Sequence, residues 1–114
     1  MTEPLAQVHI QSAGGHRLRA TVTGEIDLSN AEQVERQLND AAREADELVV
    51  DLTGVQYMDS QGVRILQSLA DRHAGGGVRL TIVAATESIA GDILALTRIG
   101  DTVEIVEPPP PTGL

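Results

Sequence analysis

Two carboxylates and one hydroxyl are the side chains of this sequence best placed to do chemistry. Asp59 and Ser60 stand in Tyr57-Met58-Asp59-Ser60-Gln61-Gly62, where a strand and loop give way to an apolar-periodic helix. Either side chain can cap that helix by accepting a hydrogen bond from the free amides of its first turn. The same place suits a phosphate, because exposed amides and the positive helix end favour an anion. A phosphoserine at 60 would bring about −1.5 to −2 charges next to Asp59. A partner docked on the helix would feel both the repulsion and the bulk. Local chemistry leaves cap and switch as alternatives. Asp27, in Gly24-Glu25-Ile26-Asp27-Leu28, also follows a strand, so Asp27 and Asp59 can open at the same end of a sheet. Met58 and Val63 flank the cap and belong either to an adaptable surface around it or to the core.

Other chemistries find no support. His9, His16 and His73 are scattered, at spacings that suit neither a metal site nor a triad. The absence of Cys removes disulfides, thiolate ligands and thiol nucleophiles. Gly75-Gly76-Gly77 lacks the Lys and Ser/Thr that complete a phosphate-binding loop. No nucleophile, base and oxyanion donor can be assembled. A binding protein without metal or cofactor is therefore expected, rather than an enzyme.

With 114 residues the chain holds one domain. Tyr57 is its only aromatic residue, so Val, Ile, Leu and Ala must build the core. The formal net charge of −9 argues against nucleic acid and against an electrostatic membrane anchor. It fits either a partner with a basic face or plain solubility. No apolar run reaches the length of a membrane span, and Met1-Thr2-Glu3-Pro4 lacks the regions of a signal peptide. The cytoplasm is the expected compartment.

The elements that must position Asp27, Asp59 and Ser60 follow from periodicity. Leu5 to Gln11 and His16 to Thr23 alternate like strands around Ser12-Ala13-Gly14-Gly15, which predicts an antiparallel hairpin. Ser29 with Glu32 forms a capping-box pattern ahead of Ala31, Val34, Leu38 and Ala41 or Ala42, an amphipathic helix. Glu47 to Leu52 reads as a buried strand, and Thr53 to Tyr57 as a loop. Asp59 or Ser60 opens a second helix with Val63, Leu66, Leu69 and Ala70 inside, closed by the three glycines. Val78 to Ala84 is the next strand. Thr86-Glu87-Ser88 opens a third helix that Gly100 stops, and Val103 to Val106 is the last strand. The order β-β-α-β-α-β-α-β predicts an α/β fold with a mixed sheet. The proline-rich stretch 108–114 is expected to be a disordered tail.

Residues Asp51 to Leu66, with Tyr57-Met58-Asp59-Ser60-Gln61-Gly62 at their centre, resemble the signature of STAS domains, closest to bacterial anti-sigma factor antagonists. Gly24-Glu25-Ile26-Asp27 is similar to that family's second motif, and the element order agrees over residues 5–107. The resemblance implies a STAS-type sheet with a hairpin start and crossover helices. It implies that Ser60 is phosphorylated by an anti-sigma factor that is a GHKL-type serine kinase. The unphosphorylated form would bind this kinase and release a sigma factor, and a PP2C-type phosphatase would reverse the modification. Asp27 and Asp59 match acidic positions beside the phosphosite, and Gly62 matches the glycine near the helix start. Met58, Gln61 and Val63 complete the expected partner contacts. Gln61 departs from the family's Ser or Thr. Some relatives serve elsewhere, so docking on an ABC-transporter ATPase or a stressosome-type scaffold is the alternative.

Overall fold

The structure, a computed structural model, describes residues 6–109. The expected strand start at Leu5 and the tail from 110 onward lie outside those residues. Strand β1 (Ala6–Ser12) turns into β2 (Arg17–Ile26) through Gly14 and Gly15. Both glycines have positive φ, 99° and 59°, which a side chain would resist. Helix α1 (Ala31–Glu44) leads to β3 (Glu47–Met58), and α2 (Ser60–Ala74) to β4 (Arg79–Val83). Helices α3 (Ile89–Ala95) and α4 (Ile99–Thr102) precede β5 (Glu104–Val106).

The sheet order is β1-β2-β3-β4-β5. Strand β1 is antiparallel to β2, and every later pair is parallel. Parallel neighbours need crossovers, and the helices supply them. Each crossover moves the chain one strand along with the same hand, so the helices gather on one face. Accordingly α1 touches α2, and α2 touches α4. Ala20, Val50, Ile82 and Ile105 line up across β2 to β5 beneath this helical layer, and Ile10 of β1 continues the row into solvent. Leu38 of α1, Ile65, Leu66 and Leu69 of α2, and Ile99 of α4 close over them, fully buried. Tyr57 is exposed, so the core contains no aromatic ring and rests on aliphatic packing alone. On the other face Arg19, Thr21, Glu47, Thr81 and Glu104 stay half-buried or exposed.

Asp51 is the buried acidic side chain of the described residues. It pairs with Arg19 at 2.5 Å and accepts bonds from the Thr53 amide (2.9 Å) and hydroxyl (2.6 Å). Burial pushes its carboxyl up, but the Thr53 donors and Arg19 outweigh burial and hold it below its ordinary value. A depressed carboxyl stabilises the fold above its unfolded value, about pH 4. That contribution drains away as pH falls through the folded value. Asp51→Asn is therefore expected to cost about 1–2 kcal/mol at pH 7. It should also flatten the acid limb of stability below pH ~4, as read by urea titrations at pH 7 and pH 3.

Four local expectations need correction. The segment Thr53 to Tyr57 is not a loop, because β3 continues to Met58. Two irregularities in the β2–β3 ladder, between Thr21 and Thr23 and between Gly24 and Glu25, let β3 carry extra residues and still pair. Strand β2 likewise runs on to Ile26. Ser29 does not cap α1, since its amide (2.9 Å) and hydroxyl (2.5 Å) both bond Oδ1 of Asp27. That local turn competes with the capping box, and α1 begins only at Ala31. The third helix is broken after Ala95, and Gly100 lies inside α4 rather than stopping a helix.

Candidate functional site

The parallel pairing of β2 and β3 builds the site. Glu25 pairs with Tyr57 and Ile26 with Met58, so the two strands end side by side. The Asp59 amide then donates to the Ile26 carbonyl at 3.2 Å. Asp27 and Asp59 are thereby brought to one end of the sheet, both half-buried. The Asp27 carbonyl accepts from the amides of Asn30 (3.1 Å) and Ala31 (2.9 Å). The Asn30 side chain turns back, accepting from the Asp27 amide (3.1 Å) and donating to the Glu25 carbonyl (2.8 Å). Asn30 thus splints the β2–α1 turn instead of capping the helix.

Asp59 is the cap of α2, and its Oδ1 accepts from the Gln61 amide at 2.8 Å. This resolves the choice between Asp59 and Ser60. Ser60 becomes the first helical residue, exposed and outside the cap. Its hydroxyl is presented on a rigid element, the arrangement a modifying enzyme can reach. Gln61 and Val63 are half-buried.

Met58 is not at the surface. It is 1% exposed and lies directly beneath Gly62. A β-carbon at Gly62 would fall 2.9 Å from Cβ of Met58 and 3.0 Å from its Sδ. Met58 and the buried Gly62 therefore set how closely the start of α2 approaches the sheet, and they support the site from within. The strand explains the correction: Met58 pairs with the buried Ile26, so both point into the core.

Two apolar side chains that the sequence reading passed over lie beside the site. Leu28, next to Asp27, is 77% exposed, and Tyr57, two residues before Asp59, is 47% exposed. Exposed apolar residues adjoining Asp27 and Asp59 in the chain suit a protein partner. The available signal was Tyr57 itself, the sole aromatic in a chain whose core has no need of one. Arg64 was also passed over. It donates through Nε to Gln61 Oε1 (3.1 Å) and forms a two-pronged pair with Glu35 of α1.

Surface grooves of ≈ 420 Å³ and ≈ 390 Å³ lie elsewhere, around His73 and Arg79 and around Gly91 and Ile105. Ser60 lines neither of them. Among the described residues no cluster of three His, Cys, Asp or Glu is placed to hold a metal. Among the same residues no helix is long and apolar enough to cross a membrane.

The sheet order, the hairpin start and the Asp59-Ser60 helix entry define a recognisable architecture. The STAS domain family matches residues 8–107, and the chain belongs to that family. No curated protein sequence matches it. Solved structures do resemble it. An anti-sigma factor antagonist from Mycobacterium paratuberculosis superimposes with a TM-score of 0.78 at 20% identity, over 93% of this chain and 90% of its own. The anti-sigma factor antagonist SpoIIAA in its unphosphorylated form gives 0.72 at 12% identity, over 90% and 89%. The Bacillus cell fate determinant SpoIIAA in its phosphorylated form gives 0.70 at 12% identity, over 90% and 92%. At these identities the likeness establishes the fold.

Proposed function

We propose that this chain is an antagonist of an anti-sigma factor, switched by phosphorylation of Ser60. The observation that carries the reading is the exposed Ser60 hydroxyl at the first turn of α2, with Asp59 taking over the cap and Leu28 and Tyr57 exposed nearby. Among similar folds, SpoIIAA occurs in both a phosphorylated and an unphosphorylated form, which supports a two-state reading here. Unphosphorylated, the chain binds a GHKL-type anti-sigma kinase in the cytoplasm and frees the sigma factor. In the kinase complex the Ser60 oxygen attacks the γ-phosphorus of ATP. ADP leaves, and the hydroxyl proton passes to a base of the kinase. The phosphate then repels the partner across Asp27 and Asp59. A PP2C-type phosphatase resets the switch by hydrolysis. The chain itself is a substrate and a binding surface, not an enzyme.

Incubation with ATP and the host's anti-sigma kinases is expected to add one phosphate, located at Ser60 by intact-mass and fragment analysis. Ser60→Ala should take up none and still bind the kinase in calorimetry, whereas Ser60→Asp should bind at least tenfold more weakly. A phosphate on another residue, or equal binding by the two variants, would sink the reading. Preferential capture of a transporter ATPase or a scaffold from the host would favour the alternative role of the fold.

A further inference from the structure

We propose that Arg64 is the receiver of the Ser60 phosphate: on phosphorylation its guanidinium leaves Glu35, clamps the phosphate and releases the tie between α2 and α1. This rests on reading Ser60 as the modified residue.

Ser60 and Arg64 are four residues apart on α2, so their side chains share one helix face. Helical side chains lean toward the N-terminus, which aims Arg64 back over the first turn. The observed contact has that direction, since Arg64 Nε reaches Gln61, the residue next to Ser60. The rest of the guanidinium is held by Glu35 through NH1–Oε2 and NH2–Oε1, both at 3.1 Å.

A phosphate on Ser60 would find few other partners. The Gln61 amide is bonded to Asp59 Oδ1 at 2.8 Å. The amides of Gly62 and Val63 bond the Asp59 carbonyl at 3.0 Å and 3.4 Å. The first turn can therefore offer these donors only by giving up its own cap. Asp59 adds negative charge beside the phosphate. A dianion placed there needs a cation, and Arg64 stands one turn away. Its present partnership is weakly held, because the Arg64 and Glu35 side chains are 51% and 23% exposed. Exposed ion pairs contribute little, whereas a forked guanidinium–phosphate pair is short and doubly charged. Gln61 gains a purpose in this scheme. Its side-chain oxygen holds Nε over the turn while the two terminal nitrogens exchange one anion for another. Glu35, half-buried on α1, is left unpaired, so a modification at one helix end changes the charge of the neighbouring helix.

The test uses the full chain with phosphoserine installed at residue 60 by genetic encoding, so that no kinase is needed. The phosphate is titrated by phosphorus NMR. With Arg64 present, its second ionisation is expected at least half a unit lower than in Arg64→Gln, since a cation favours the dianion. Arg64→Lys, which keeps the charge but loses the fork, should fall between. Glu35→Gln removes the competitor and should lower the value further. An identical titration in the parent and Arg64→Gln overturns the proposal, as does a Glu35→Gln value no lower than the parent's. Either result leaves the kinase reading standing. Failure of kinases to modify Ser60 would strike that reading and leave this measurement intact.

Discussion

Loss of Leu28 and Tyr57 together is expected to abolish most of the affinity for the anti-sigma kinase proposed as the partner, while sparing the fold. Leu28 is largely in solvent and Tyr57 about half so, and neither belongs to the core cluster, so truncation opens no closed cavity. They are joined to the site through the backbone: Tyr57 pairs with Glu25, and Leu28 follows Asp27 on the turn that Asn30 splints. In a bound complex they would be large exposed apolar groups on the segments that lead to Asp27 and Asp59. Anchors of this kind dominate interface energy, commonly at 2 kcal/mol or more each. Leu28→Ala with Tyr57→Ala should therefore weaken binding by about a hundredfold or more, measured by calorimetry against the unphosphorylated chain. Urea titrations should show cooperative unfolding retained, with a loss of no more than about 1–2 kcal/mol. Undiminished binding would mean that the kinase docks elsewhere and that the face around Ser60 is only a site of modification.

The largest expected loss of stability comes from a single methyl group. At Gly91 a β-carbon would fall 2.0 Å from the Ala85 carbonyl oxygen, and 3.0 Å from both the Ala85 carbon and the Thr86 oxygen. All three are backbone atoms, which cannot rotate away. The Ala85 oxygen is also held in place, accepting from the Ser88 amide (3.0 Å) and hydroxyl (2.7 Å). The Ser88 hydroxyl in turn caps α3 by accepting from the Gly91 amide at 3.0 Å. Gly91→Ala must push α3 off this turn or break the cap, at about 3 kcal/mol or more. A melting temperature lower by roughly 10–20 °C would follow. Gly100→Ala is the internal control. Its β-carbon would meet only Ile105 Cδ1, at 3.4 Å, and it lies inside α4, where Ala is the better helix former. Calorimetric melting of both variants checks the contrast, and a mild Gly91→Ala would contradict the packing described.

Much of this architecture was legible because its periodicities are ordinary. Leu48 and Val50 alternate in β3, and Val34, Leu38 and Ala41 repeat along α1, each with the side the pattern requires. The meeting of Asp27 and Asp59 also followed from element order, since loops after parallel strands open at the same sheet end. The difficulties at Thr53 to Tyr57 and at Met58 share one physical origin. Beyond Val50 the buried apolar residues of β3 are Leu52, Val55 and Met58, spaced by three because each ladder irregularity inserts a residue. A strand with that spacing does not look like one, so the segment passed for a loop and Met58 stayed open between surface and core. Ser29 misled for another reason. A capping box and an Asp27-centred turn use the same hydroxyl, and the sequence does not say which acceptor is nearer. Nothing in the sequence marks Leu28 as exposed, and the turn held by Asn30 leaves it in solvent.

The two inserted residues of β3 make the length of this segment a phase. Deleting one residue between Leu52 and Met58 would turn every later side chain to the opposite face, sending Tyr57 inward and Met58 out. Gly62 would lose the surface it rests on, and Ser60 would enter α2 on a different side of the domain. The segment can therefore drift in composition while its count stays fixed. The hairpin at Gly14 and Gly15 and the bend at Gly76 differ, for a β-carbon at any of the three meets nothing within 4 Å. Insertions should accumulate at those turns, and the few positions leading to Ser60 should vary in kind but never in number.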